Sequence, residues 1–346
     1  MALELAEAEK GKTETVEMNV IEAINRAMDD EMLHDDTVLI LGEDVGKDGG
    51  IFRVTDGLMD KYGKERVIDT PLAESGIAGT AIGLAVNGMR PIAEFQFSGF
   101  SYQAFHQFES HAARMRKRTQ GGITLPLVMR MPYGAGVRAL EHHSESRETY
   151  WIHTPGLKCV IPSSPRKAYW LLRASVRDPD PVMWMEPKYL YRRGKEEFEV
   201  GPDIGIDPLP GALIEQEGDD VTVVSYGASF QVAAKACETL EEEKGISVEL
   251  IDIPVLSPYD SETVNKSVRK TGRCVVFHEA HRTLGMGAEI AARITEEEET
   301  LFRLEAPVVR VTAPDIIVPL LTREMAYLPD QGRLVEAVEK VMDYGS

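Results

Sequence analysis

Apolar positions along this chain alternate between short unbroken runs and longer stretches at helical spacing. Val20, Ile21, Ile24, Ala27 and Met28 predict a first amphipathic helix, and the continuous run Thr37-Val38-Leu39-Ile40-Leu41 predicts a buried strand. Arg66 to Asp69 reads as a strand that breaks at Pro71, and the small and apolar residues from there to Ala85 predict a helix buried all round. Pro91 to Phe97 reads as a strand, and Ser101 to Arg118 as a helix with Tyr102, Phe105, Phe108, Ala112 and Met115 on one face. Leu125 to Met131, Leu157 to Ile161 and Val182 to Met185 are further strands, with a helix over Pro165 to Val176 between the last two. From Lys188 to Leu213 the pattern dissolves into charge, Pro and Gly, which predicts a linker.

Beyond the linker the alternation resumes. Strands are predicted over Val221 to Ser225, Ser247 to Ile253, Cys274 to Phe277 and Val308 to Val311. Helices are predicted near Gln231 to Glu242, Ser261 to Lys270, Gly287 to Thr295 and Leu334 to Met342. Strands alternating with helices indicate mostly parallel sheets covered on both faces. The expected fold class is therefore α/β, with two doubly wound domains: a flexible tail over 1–15, a first domain over 16–200 and a second over 213–346.

Charge and length narrow the function classes. A net charge of −19 argues against nucleic acid, whose phosphates call for a basic face. No apolar run approaches membrane-spanning length, and Met1 to Glu17 holds no signal-peptide core, so a cytoplasmic protein without a membrane role is expected. Cys159, Cys237 and Cys274 are scattered and predict buried free thiols in a reducing compartment.

Two regions carry candidate chemistry, the first made of two pieces. Gly42-Glu43-Asp44 follows a buried strand, where open α/β sheets place their ligands. Glu74 falls in the first turn of the helix after Pro71, beside glycines that permit close approach of another group. A carboxylate buried there is costly unless a partner holds it. On the residues alone it either answers the helix dipole or serves a site. The second region, Tyr133 to Arg138 and then Glu141-His142-His143-Ser144-Glu145-Ser146, is a Gly-rich loop that gathers His, Ser and Glu. Adjacent histidines lack the spacing of a helical zinc pair, and no GxSxG elbow accompanies them. What remains is proton transfer or oxyanion stabilisation by a loop histidine, or a histidine satisfied within its loop. Neither GxGxxG after the first strand nor a P-loop is present, and Gly285-Met286-Gly287 is a weak substitute.

Taken in order, Gly42-Glu43-Asp44-Val45, Phe52-Arg53, Thr70 to Ile77, Arg90 to Phe97, His143-Ser144-Glu145-Ser146 and Pro155 to Lys158 resemble the beta subunit of the E1 component of 2-oxo acid dehydrogenases. Pro181 to Arg192, Lys270 to Arg273, Glu279 to Arg282, Leu304 to Pro307 and Tyr327 to Pro329 extend the resemblance over nearly the whole chain. It implies a pyrimidine-binding domain followed by a transketolase C-terminal-like domain. It also implies thiamine diphosphate as cofactor, a 2-oxo acid as substrate (pyruvate favoured, branched-chain acids in range) and acyl transfer to the lipoyl group of E2.

The resemblance assigns Glu74 the hydrogen bond to the pyrimidine N1′ of the cofactor, with proton exchange at that atom. Leu72 corresponds to the apolar contact beneath the ring, Glu43 and Gln96 to polar neighbours, and Phe100 to an aromatic one that is Tyr in some members. His143 corresponds to the histidine near the substrate; His142 receives no role. The region of Ser175, Asp178 and Asp180 resembles a loop holding a structural potassium, largely through backbone carbonyls, and an Asp-Pro turn is the other reading of it. The GDG-and-later-Asn pattern that holds magnesium and diphosphate is missing, so the resemblance assigns both to an alpha subunit in an α2β2 heterotetramer. The C-terminal domain would dock the commonly basic subunit-binding domain of E2, which an acidic chain suits. Two alternatives share these motifs: the beta subunit of an acetoin-cleaving dehydrogenase, and a non-catalytic scaffold.

Overall fold

The structure, a computed structural model, describes residues 13–345. Most of the tail expected over 1–15 lies outside the described residues; Glu14 and Thr15, at its end, open strand β1 (Glu14–Met18). The chain divides into two compact units. One takes in the chain up to Tyr133, Tyr150–Glu186 and Leu190–Leu209; the other takes in Gly134–Thr149, Pro187–Tyr189 and the chain from Pro210 on.

The first unit holds β2 (Val38–Gly42), β3 (Val67–Asp69), β4 (Arg90–Glu94), β5 (Val128–Tyr133), β6 (Lys158–Val160) and β7 (Val182–Pro187), in the sheet order β6-β7-β5-β4-β2-β3. Strands β2, β4, β5 and β7 are buried at almost every position, as expected of parallel strands covered on both faces. The parallel register aligns their carboxyl ends: Gly42 stands opposite both Asp69 and Glu94, and Glu94 opposite Arg130. Gly42 is required there, since a Cβ would come within 3.0 Å of Glu94 Cβ and carbonyl O.

The helices covering this sheet include α1 (Val20–His34), α2 (Glu74–Val86), α3 (Tyr102–Ser110) and α4 (Pro165–Arg177). Helix α1 opens with a capping box between Asn19 and Glu22, and α4 with Ser164 at the cap and Pro165 at its first position. Two expectations are corrected here. Helix α2 is buried on one face only: Glu74, Ile77, Ala78, Ala81, Ile82 and Ala85 form an i, i+3, i+4 stripe, while Gly76, Thr80, Gly83 and Val86 are exposed. The uniform smallness of its residues hid that stripe from the pattern. The helix expected over Ser101 to Arg118 is interrupted at His111, where ψ is −65° at a φ of −120°, and resumes as short turns.

The expected linker is also more ordered than its composition implied. It contains β8 (Glu196–Val200), antiparallel to β1, with Phe198 and Val200 buried between exposed glutamates. Charged residues on one face of a two-residue alternation had masked a strand.

The second unit carries β9 (Leu213–Gln216), β10 (Val221–Ser225), β11 (Val248–Asp252), a short strand β12 (Val255–Ser257), β13 (Cys274–His281) and β14 (Val309–Ala313). Its sheet runs β14-β13-β10-β11-β9, parallel except for the edge strand β9. Helices α5 (Gly227–Lys244), α6 (Ser261–Thr271), α7 (Met286–Glu296) and α8 (Gln331–Met342) flank it. Val223, Phe230, Leu240, Leu250, Val275, Phe277, Leu334 and Val338 belong to one apolar core. The three cysteines are free and buried. Among the described residues no helix is long and apolar enough to cross a membrane.

Candidate active site

The carboxyl ends of β2, β3 and β4 bring an acidic group together. Glu43 follows β2 directly and is 3 % exposed; its Oε1 is buried and finds no hydrogen-bond partner. Burial, together with the negative charges of Glu74, Asp44 and Glu94, pushes its carboxyl up to about 7. The backbone presenting Glu43 is held tightly. Asp44 adopts a left-handed φ of 57°, Thr55 Oγ1 donates to Val45 O at 2.7 Å, and Gly46 N–H donates to Asp69 Oδ1 at 2.6 Å. A Cβ at Gly46 would meet the ends of the Met59 and Asp69 side chains, which would have to shift.

Glu74 opens α2 and is 8 % exposed, and no side chain caps that end of the helix. Leu72, two residues earlier, is 82 % exposed and offers an apolar face. Gln96, past the end of β4, donates from Nε2 to Asp44 Oδ2 at 2.9 Å and so ties the β4 exit to the β2 exit. Phe100 ends a single 3-10 turn, Ser98–Phe100, and packs edge-on to Phe97 with centroids 5.5 Å apart. Phe97 in turn meets Phe52, and Phe52 meets Tyr191.

Beneath this edge lies a charged triad that sequence reading had not singled out. Arg130 is fully buried and pairs with Glu94 at 2.6 Å and with Glu186 at 2.6 and 3.1 Å. Tyr191 Oη and Trp184 Nε1 complete the hydrogen bonding of Glu186. Burial raises the Glu94 carboxyl to about 7 despite Arg130, with Glu186 and Asp44 adding to the rise. The one signal in the sequence was polar: Glu94 and Arg130 each interrupt a run otherwise apolar enough for a core strand.

Glu43, Leu72, Glu74, Gln96 and Phe100 all belong to the first unit, and His143 belongs to the second. His143 Nδ1 lies 2.7 Å from Glu141 O, and its backbone N–H donates to Leu140 O. A carbonyl only accepts, so Nδ1 carries the proton and Nε2 is the basic nitrogen of the neutral ring. His142 has a left-handed φ of 65° and lies 3.7 Å from Glu145.

The side chains of the three residues placed with the potassium loop have partners within the chain. Ser175 Oγ donates to Leu171 O within its own helix. Lys158 Nζ holds both Asp178 oxygens, at 2.7 and 2.6 Å, and Arg116 holds Asp180 at 2.6 Å. Cations of the chain itself already occupy these carboxylates. Among the described residues no group of three or more His, Cys, Asp or Glu side chains is arranged to hold a metal ion.

Comparison with known proteins agrees with this architecture. Residues 16–194 match the family described as "Transketolase, pyrimidine binding domain", and residues 211–334 match "Transketolase, C-terminal domain". A solved structure titled "Split gene transketolase, inactive beta4 tetramer" superposes with a TM-score of 0.76 over 94 % of this chain and 98 % of its own, at 23 % identity. Fold and family matches together define the class, a two-domain α/β protein of transketolase type. More particular relatives follow. The "3-methyl-2-oxobutanoate dehydrogenase subunit beta" of Mycobacterium tuberculosis is 47 % identical over 95 % of this chain and 93 % of its own. The "Pyruvate dehydrogenase E1 component subunit beta" of Acholeplasma laidlawii is 45 % identical over 94 % and 98 %. The mitochondrial "2-oxoisovalerate dehydrogenase subunit beta" of Dictyostelium discoideum is 48 % identical over 96 % and 88 %. The chain belongs to the family of beta subunits of 2-oxo acid dehydrogenase E1 components.

Proposed function

We propose that this chain is the beta half of a cytoplasmic, thiamine-diphosphate-dependent E1 enzyme that decarboxylates a 2-oxo acid and passes the acyl group to a lipoyl group of E2. Pyruvate and branched-chain 2-oxo acids both fall within this reading, and assays of the assembled enzyme with each decide between them. The observation that carries it is a buried, unpartnered carboxyl oxygen on Glu43 next to Glu74, at the carboxyl edge of a parallel sheet. An orphaned buried acceptor fits a donor brought by a ligand. The pyrimidine half of the cofactor fits this set of residues: carboxyls for ring nitrogens and the amino group, Leu72 for the ring face, and Phe100 at the rim.

When bound, thiamine diphosphate supplies the carbanion-stabilising chemistry that side chains lack. Glu74 would hydrogen-bond the pyrimidine N1′ and exchange a proton with it. Glu43, raised to about 7, is largely protonated in mildly acid solution and donates or accepts according to pH. Gln96 holds the Asp44 carboxylate beside these strand exits. His143, with Nε2 basic, transfers a proton at the substrate.

The sequence lacks the GDG-and-later-Asn pattern for diphosphate and magnesium, so an alpha subunit would hold them in an α2β2 assembly. The exposed, small-residue face of α2 and the bare Leu72 beside it support a partner chain there. The net charge of −19 supports docking of a basic subunit-binding domain of E2 by electrostatic steering. A potassium ion near Ser175, Asp178 and Asp180 would be held by main-chain carbonyls, because the carboxylates are engaged by Lys158 and Arg116.

Glu74→Gln tests the reading. Gln can still hydrogen-bond N1′ but cannot exchange a proton with it. Hydrogen–deuterium exchange at the thiazolium C2 of the assembled enzyme should slow by orders of magnitude while the tetramer still forms. Wild-type exchange in a variant that merely melts slightly earlier, as loss of a dipole contact of about 0.3–1 kcal/mol would give, sinks the proton role of Glu74.

A further inference from the structure

Residues 134–149, which carry His143, fall in the first half of the chain yet belong to the second compact unit. Buried charge holds them there. Lys188, 3 % exposed, donates from Nζ to Gly134 O at 2.8 Å. Glu279, on β13, accepts from Ser146 Oγ at 2.7 Å and from the Ala135 backbone N–H. Glu324 is fully buried and accepts from the Gly136 N–H at 2.5 Å.

The backbone is shaped to this grip. Gly134 and Gly136 have φ of +83° and +97°, and a Cβ would lie 2.2 Å from Glu279 Oε1 at the first and 2.4 Å from the Tyr189 ring at the second. Gly134 N–H also donates to Glu145 O across the loop, so the strand leaving Tyr133 and the turn after His143 are tied together. The far end is held by Glu148, whose Oε1 accepts from Tyr226 Oη at 2.7 Å.

Apolar side chains would hold a purely structural loop at lower cost, because desolvating charged groups is expensive even when they are paired. Burial lowers Lys188 to about 7 and raises Glu279 to about 7, the direction desolvation drives each; their mutual attraction opposes both changes. Hydrogen bonds of these groups reach the loop backbone and Ser146. Directional bonds fix a loop where apolar contacts would let it slide.

We infer that Glu279, backed by Lys188 and Glu324, is a positioning residue that acts through Ser146 and the 134–136 backbone to fix the loop presenting His143. The inference rests on the reading of His143 as a proton-transfer group. A double-substitution cycle in the assembled alpha–beta enzyme separates the two. Glu279→Ala should lower kcat by about 10²-fold, the scale of a misplaced group, with the KM for the 2-oxo acid changed only a few-fold. In a His143→Ala background the same substitution should cost nothing further in kcat, because the group it positions is already gone. Glu279→Gln, which keeps an acceptor for Ser146 and Ala135, should recover most of the loss. Should Glu279→Ala fail to assemble, Ser146→Ala runs the same cycle with a smaller loss. Losses that multiply in the double variant, or a harmless Glu279→Ala beside a damaging His143→Ala, overturn the positioning role alone. A harmless His143→Ala sinks the reading of His143, and the inference with it.

Discussion

Arg130 and Glu94 stand opposite each other in register on β5 and β4, and their side chains meet at 2.6 Å with neither more than 5 % exposed. Glu186 meets the same guanidinium from β7. One cation between two carboxylates, all out of water, sits directly below the edge where Glu43 and Gln96 leave the sheet. Replacing the cation alone leaves two buried carboxylates without a countercharge. Arg130→Met is therefore expected to lower the unfolding free energy by about 3–5 kcal/mol, the cost of breaking a buried pair one-sidedly. Urea denaturation of the purified protein measures this. A loss under about 1 kcal/mol would show that Glu94 and Glu186 take up protons at no cost, and that the triad does not hold this edge together.

Glu43 gives a pH signature. Its folded value near 7 lies above the ordinary 4.5, so the folded chain binds a proton that the unfolded chain releases between those values. Stability then falls as pH rises through that window, because the native state holds more protons there. Glu43→Gln removes the penalty of ionising a buried carboxyl beside Glu74, Asp44 and Glu94. In cofactor-free protein the variant should melt above wild type at about pH 8, and the gap should close toward about pH 4.5. A gap that does not change with pH would mean Glu43 is not the group that titrates.

What the sequence made legible follows from how each element is stabilised. Val221 to Ser225 shows as a strand because burial on both faces demands five apolar or small residues in a row, and the structure starts and ends it there. The helices near Ser261 and Gln331 carry Asp260 and Asp330 as caps, and their apolar stripes fixed them to within a few residues. Strand β8 was lost because Glu196, Glu197 and Glu199 read as linker charge, while Phe198 and Val200 alone face inward. The Glu43 loop was legible as carboxylates just past a strand, whereas its raised carboxyl depends on Glu74 and Glu94, far away in sequence. The anchoring of the His143 loop by Lys188, Glu279 and Glu324 was out of reach for the same reason. No local spacing encodes contacts across as many as 188 residues.

The last prediction concerns what this chain cannot do alone. On the proposed reading its acidic edge would offer Glu43 and Glu74 to a pyrimidine, yet no three acidic, His or Cys side chains among the described residues are arranged for a metal. A diphosphate brought to a surface of net charge −19 without magnesium meets repulsion, and that term falls as salt screens it. Pyrimidine contacts alone must then carry the affinity. Calorimetry should show at most weak, magnesium-independent binding of thiamine diphosphate to the isolated chain, and binding at least 10²-fold tighter, or about 2.7 kcal/mol, once the alpha subunit is added with magnesium. Glu74→Ala should weaken binding in both settings, since Glu74 lies on this chain's side of the site. Tight, magnesium-dependent binding by the lone chain would overturn the division of the cofactor between two subunits.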